Sequence, residues 1–215
     1  MGTVLYITAH PFEEDKSHAI AAGKEFVQAY RQTHPLDEVI HLDLFKAWIP
    51  LLDADVFNGW EKLKQGTPFE ALNGDEQSKI GRINELVDQF VAADKYVFVS
   101  PTWNYSYPPV MKAYLDSICI AGKTFSYLPD IGRVGLLGDK KAIHIQASGS
   151  VLSPGSNTLA ENWEMGHRHL KVIMEFVGIS ELAGIFIEGM AEYPDQALQI
   201  KEKAIRRARE AAQVF

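Results

Sequence analysis

Residues 95–114 read KYVFVSPTWNYSYPPVMKAY, and the fold follows from how this stretch changes character along its length. Tyr96 to Ser100 is a short, nearly unbroken run of aromatic and β-branched residues, the composition of a strand buried on both faces of a parallel sheet. Pro101 has no N–H to give a ladder and biases Ser100 away from helical backbone, so the strand stops there. The loop beyond carries Trp103, Tyr105 and Tyr107 around Asn104. Pro108 and Pro109 close it and open a helix, where a missing N–H costs nothing. An aromatic shelf at the carboxyl end of a central strand occupies the ligand position of an open α/β sheet. Taken singly, each ring could equally serve loop packing or a subunit contact.

Outward from this centre the pattern repeats. Thr3 to Thr8 (TVLYIT) is a second buried strand, broken by Ala9-His10-Pro11. Ser17 then precedes Ala19, Ala22, Phe26 and Tyr30 on one helical face, which makes it the expected N-cap. A strand, a loop and a capped helix aim a helix amino terminus above the sheet, where it suits a phosphate, with His10, Lys16, Ser17 and His18 as added donors. By themselves, Ser17 is equally a simple cap and His10 a turn residue. The loop has neither the G-x-G-x-x-G fingerprint nor a Walker pattern, which disfavours a Rossmann dinucleotide site and a P-loop.

Glu38 to Leu42 reads as a strand nearer an edge, Lys141 to Ala147 as a further buried strand ended by Ser148-Gly149-Ser150, and Ser180 to Glu188 as the last. Asp75 is expected to cap a helix with Ile80, Ile83, Val87 and Phe90 on its face, and Gly122 to end the helix begun by Pro109. Thr124 to Tyr127 suggests a small strand or arm, and the glycine-rich stretch from Asp130 to Gly138 a pocket wall. Leu159, Trp163, Gly166, Leu170, Ile173 and Val177 keep helical spacing and predict one long helix with a core or dimer face. His167 and His169, two apart, point to different sides, so no metal site is implied. Tyr193-Pro194-Asp195 opens the final helix. Between 43 and 74 the pattern fails, with Trp48, Phe57, Trp60 and Phe69 scattered among glycines and acids, and an irregular insertion is expected that folds over the ligand end or against a partner, with Trp60 its leading substrate-pocket candidate.

Five strands alternating with five helices make a single α/β domain over 1–215, a doubly wound five-stranded parallel sheet of flavodoxin-like order 2-1-3-4-5 with helices on both faces. The loops at 9–18, 101–108 and 147–157 then converge on one end of the sheet. A helix terminus for a phosphate, an aromatic shelf and a polar glycine-containing loop suit a planar heterocycle with a phosphate tail, and FMN fits that description. The Asn104 and Tyr105 amides would meet the isoalloxazine edge, and Ser148 to Ser150 its pyrimidine side. With the flavin carrying the hydride chemistry, no catalytic acid or base is demanded of the chain.

Composition limits the remaining choices. The 215 residues carry a formal charge of −7, which opposes nucleic acid or an anionic membrane as partner. The lone cysteine, Cys119, excludes an intrachain disulfide framework, suits a reducing compartment and reads as core. No apolar run approaches the ~20 residues of a membrane span and the amino terminus lacks a secretory pattern, so a cytoplasmic chain is expected.

At these positions the chain resembles the FMN-dependent NADH-azoreductase family, also called NADH:quinone oxidoreductases. PTWNYSYP at 101–108 is similar to the family's P-[ML]-[YW]-N-F segment and AGKTFSY at 121–127 to its A-G-x-T-F-x-Y, with LGDKKA at 137–142 and IEG at 187–189 as further landmarks. The resemblance implies NADH as donor, a quinone or azo compound as acceptor, a homodimer, and Pro101, Thr102, Trp103, Asn104 and Tyr105 at the flavin. It places His10, Ser17 and His18 in the phosphate loop, Ser148, Gly149 and Ser150 at the cofactor, and Phe125 and Tyr127 as candidates for the substrate pocket. Two departures stand out: Ser148-Gly149-Ser150 replaces a common Arg-Gly-Gly, and Tyr105 a phenylalanine. If one flavin face is covered, donor and acceptor must use the other in turn, a ping-pong order. A flavodoxin-type electron carrier is the alternative, disfavoured because residues 8–17 do not match its T-x-T-G-x-T loop.

Overall fold

The computed structural model describes residues 1–153, 155–157 and 160–215. Five parallel strands, β1 (Thr3–Thr8), β2 (Glu38–Asp43), β3 (Lys95–Pro101), β6 (Lys141–Ala147) and β7 (Leu182–Ile187), lie in the order β2-β1-β3-β6-β7. Two short strands, β4 (Phe125–Leu128) and β5 (Gly132–Gly135), form a separate antiparallel hairpin, so the large sheet has the expected order 2-1-3-4-5 among its own strands. β3 pairs with β1 on one side and β6 on the other, which explains its unbroken apolar run.

Among the described residues there are six α-helices, α1 (His18–Thr33), α2 (Ala54–Lys64), α3 (Gly74–Ala92), α4 (Pro109–Ile118), α5 (Gly166–Val177) and α6 (Ala197–Val214), five of them packed on the sheet and α2 on α3. Alternation along the strands sorts the core into two layers. Val4, Tyr6, Val97, Val99, Ile143 and Ile145 face α1 and α6, where Phe26, Tyr30, Ala204, Ala208 and Ala212 are buried. Leu5, Ile7, Tyr96 and Phe98 face the other way, toward Phe90, Met111, Tyr114, Leu170 and Met174 of α3, α4 and α5.

Several local expectations change. The insertion at 43–74 contains regular structure, because Asp53 caps α2 and Val56 packs with Leu72, Ile80 and Ile83 in a satellite core against α3. Asn73, not Asp75, caps α3: its side chain takes the Glu76 N–H while the Glu76 carboxylate reaches back to the Asn73 N–H, a complete capping box. The Pro109 helix ends at Ile118, before Gly122, because the Thr124 hydroxyl donates to the Ile118 carbonyl and accepts from Ile120 N–H. The stretch from Asp130 to Gly138 lines neither of the two cavities described below. It is pinned to α5, where Leu137 N–H donates to Val177 O and a methyl on Gly135 would lie 2.1 Å from Gly178 N.

The long helix predicted from Leu159 is shorter. Leu159 lies outside the described residues, and α5 begins only at Gly166. The chain before it crosses the aromatic loop instead: Met165 N–H donates to Tyr105 O over 2.8 Å, Trp163 meets Tyr105 edge-on at 5.3 Å, and the Glu164 carboxylate takes the N–H groups of His167 and Arg168. Among the described residues no helix is long and apolar enough to cross a membrane.

Candidate functional site

The carboxyl ends of β1, β3, β6 and β7 open onto one cleft of about 330 Å³, within the range of small-molecule sites. Its first wall is the loop from His10 to His18. Ser17 is extended (φ −132°), almost fully buried, and accepts the Ile20 N–H at 3.3 Å, so the cap read from sequence is formed. The first turn of α1 carries no acidic residue, leaving its N–H groups and dipole for an anion. Lys16 and His18 line the same wall. Partial burial, and then the Lys201 charge, hold the His18 imidazole below its usual range.

The second wall is Pro101, Thr102 and Trp103. Trp103 and Ser106 exchange backbone hydrogen bonds of 2.6 and 3.1 Å around Asn104 (φ 51°) and Tyr105 (φ 68°), a turn with two consecutive left-handed residues, neither glycine. Such backbone costs ~1–3 kcal/mol per residue and gathers at ligand sites, where the chain around it enforces the geometry. Here the enforcement is visible: Thr102 N–H is tied to Ala147 O at 2.7 Å, Tyr105 O to the Met165 N–H, and the Tyr107 hydroxyl to His169. The Trp103 ring lies 6.2 Å from His10 and 6.1 Å from Phe45, so aromatic surface extends beyond the loop itself.

Ser148 and Gly149 form the third wall. Gly149 O accepts from the N–H groups of Ala191 and Glu192, and a methyl on Gly149 would stand 3.2 Å from the Ala191 methyl, a tight contact that glycine avoids. The Ser148 hydroxyl donates to Ser150 O, and Ser150, Asn104 and Tyr105 adjoin the lining residues without being among them. Met190 and Ala191 complete the lining and were not read from the sequence. They follow β7, and the rule that ligands sit beyond parallel strand ends already pointed to them.

Trp60, Phe125 and Tyr127 lie away from the cleft of a single chain. Trp60 packs beside Phe57 in the α2–α3 satellite core, Phe125 lies 4.5 Å from Phe176, and Tyr127 is exposed. A larger cavity, about 720 Å³, runs between α1 and edge strand β2 past Tyr6, Val27, Val39 and His41. The smaller cleft is the better candidate, because the helix terminus, the Pro101–Trp103 segment that leads into the left-handed turn, and the glycine loop meet there. Among the described residues no three His, Cys, Asp or Glu gather as a metal set. Burial pushes the Cys119 thiol up to about 11, which leaves it un-ionised and a poor nucleophile.

The arrangement fits FMN on this structure's own terms: an acid-free helix terminus for the phosphate, a rigid turn carrying aromatic rings, and a polar loop opposite. Comparisons with known proteins agree. Residues 2–212 match the model of a family described as having a flavodoxin-like fold. The chain is 56% identical over its full length, and that of its relative, to "FMN-dependent NADH:quinone oxidoreductase 3" of Halalkalibacterium halodurans. It superimposes on the azoreductase of Bacillus anthracis with a TM-score of 0.91 at 33% identity, covering 100% of both chains. A second Bacillus anthracis structure, an FMN-dependent NADH-azoreductase in complex with FMN, matches with a TM-score of 0.88 at 30% identity, covering 99% of this chain and 98% of that one.

Proposed function

Since the chain belongs to the flavodoxin-like fold family that its residues 2–212 match, we propose that it is an FMN-dependent oxidoreductase taking hydride from NADH and reducing quinones or azo compounds. The observation that carries this reading is the convergence on one cleft of the Ser17-capped helix terminus, whose first turn holds no acidic residue, with Pro101, Thr102 and Trp103 and with the Ser148-Gly149 loop.

When bound, FMN supplies the two-electron chemistry. The chain supplies placement. The first turn of α1, with Lys16, Ser17 and His18, holds the phosphate, while Pro101, Thr102 and Trp103 give the ring system an edge and a flank. The amides of Asn104 and Tyr105 sit where the chain turns left-handed, and the turn holds them rigid before any ligand arrives. Ser148 and Gly149 lie opposite, and Ser150 contributes by anchoring the Ser148 hydroxyl through its carbonyl. No side chain is asked to move a proton. Residues 148–153 contain no lysine or arginine, so this loop would offer the ring system hydroxyl and backbone dipoles.

Phe45, Trp48, Tyr105, Trp163 and Met165 are exposed, and Phe45, Tyr105 and Trp163 adjoin the aromatic loop, apolar surface of the kind a partner would cover. A two-fold homodimer would cover it, and would bring Trp60, Phe125 and Tyr127 of one copy toward the other's cleft. A single cysteine with an un-ionised thiol suits the cytoplasm. The direct test is the visible spectrum of the purified protein: bands of bound flavin that bleach with NADH and return on adding a quinone support the reading, and a protein that takes up no FMN refutes it.

A further inference from the structure

Behind the second wall of the cleft lies a buried polar chain that the binding of FMN does not by itself require. Gln146, at the end of β6, and Glu164, on the strap before α5, are almost fully buried. Gln146 Nε2 donates to Glu164 Oε1 at 3.0 Å and to the Thr102 hydroxyl oxygen. Glu164 is held in turn by the helix it caps: Oε1 takes the His167 N–H at 2.6 Å and Oε2 the Arg168 N–H at 3.2 Å. Both carboxylate oxygens therefore face donors, and the group meeting Gln146 can only accept.

That fixes the Gln146 amide. Its NH2 must point at Glu164, since the flipped amide would set oxygen against oxygen. Both Nε2 protons are then spent, one on Glu164 and one on Thr102. The Gln146 carbonyl oxygen is left buried with no partner, an arrangement that proteins rarely keep without reason. The consequence falls on Thr102. Its oxygen accepts from Gln146 and its N–H is tied to Ala147 O. Its hydroxyl proton cannot point back at a nitrogen whose lone pair is delocalised, and Thr102 lines the cleft. The proton is left free for a group in the cleft.

We propose that Glu164 is a positioning residue which, through Gln146, locks the Thr102 hydroxyl as a hydrogen-bond donor toward the acceptor edge of the flavin ring, an inference that rests on the cleft taking FMN. Glu164 touches no ligand. It converts a rotor that could donate or accept into one of fixed polarity, matched to a ring edge that grows more electron-rich on reduction. Met165 N–H and the Trp163 ring hold the adjoining Tyr105, so the same strap sets both the polarity and the position of the loop.

The test uses the full-length apoprotein titrated with FMN by fluorescence quenching, with the equilibrium between oxidised and reduced bound flavin measured against a reference dye. Thr102→Val should weaken FMN roughly fivefold and shift the dye equilibrium toward oxidised flavin by a similar factor. Thr102→Ser, which keeps the hydroxyl, should stay within about twofold on both readouts. Glu164→Gln lets the amide pair flip and should reproduce the valine effect. In the double variant Thr102→Val, Glu164→Gln the second change should add nothing, because Glu164 acts only through the hydroxyl. If Glu164→Gln melts early, Gln146→Met removes the same lock from within the sheet and is read in the same cycle. Full additivity, or a valine variant that matches wild type, overturns the inference while leaving FMN binding intact. A wild-type protein that binds no FMN overturns instead the functional reading beneath it.

Discussion

Changing Ser17 to Asp separates the helix cap from the phosphate site, because aspartate should serve the first as well as serine and oppose the second. Ser17 accepts one N–H, from Ile20, and aspartate can accept the same one. The two residues rank equally as N-caps, and a negative charge at a helix amino terminus adds ~0.3–1 kcal/mol. The variant without cofactor should therefore melt at or slightly above the wild-type temperature. Binding should change in the opposite sense. A phosphate on the first turn of α1 would sit ~5 Å from the new carboxylate, and at an effective dielectric of ~40 for a half-open cleft each pair of unit charges repels by ~1.7 kcal/mol. With nearly two charges on the phosphate the loss is ~3 kcal/mol, about a hundredfold in affinity. Raising the salt toward 1 M should recover roughly a factor of ten. Fluorescence titration with FMN at two ionic strengths, beside thermal melts of the apoprotein, reads all three quantities. An affinity within threefold of wild type and indifferent to salt would sink the assignment of the phosphate to this helix.

Three further outcomes follow from the same structure. Initial rates at several acceptor concentrations should give parallel double-reciprocal lines, because Trp103 and its loop flank one side of the ring site and donor and acceptor share the other; intersecting lines would mean two separate compartments. Light scattering at assay concentration should show a dimer, and a fully active monomer would remove the reason for the exposed aromatics beside the aromatic loop. The third concerns acid: the Lys62 ammonium, aided by the Asn73 N–H, holds the Glu76 carboxyl below its usual range. A depressed folded-state pKa stabilises above the unfolded value, ~4.3, and the benefit is lost as pH falls through the lower folded value. Glu76→Gln should thus be less stable than wild type in urea at pH ~7, with the gap closing below pH ~4; a gap independent of pH would contradict the ion pair's role.

How much could be read beforehand depended on how local the cause was. The β1 and β6 bounds, the Ser17 cap and the aromatic loop were legible because strand composition, capping and proline act within a few residues. The order of the large sheet followed from crossover handedness. What escaped depends on partners far along the chain. Trp163 and Gly166 carry a helical stripe, yet the helix starts late because residues 163–165 are claimed by Tyr105, some sixty positions earlier. Gly135 looks like flexible glycine until Gly178 is seen against it. Asp75 is a fair cap by type, but Asn73 has Glu76 three residues on, and the reciprocal box wins. Gln146 lies in an apolar strand with no local hint of Glu164, and only the folded chain brings them together.

The cleft lining also constrains when during synthesis the protein can acquire its cofactor. His10 and Ser17 emerge first, the Thr102 loop some ninety residues later, and Met190 and Ala191 some ninety after that. The final helix, α6, must then dock on α1, the helix whose amino terminus is offered to the phosphate. A nascent chain halted anywhere before β7 has strands but no complete binding cleft. Cofactor capture therefore waits for β7 and the Met190-Ala191 segment that follows it.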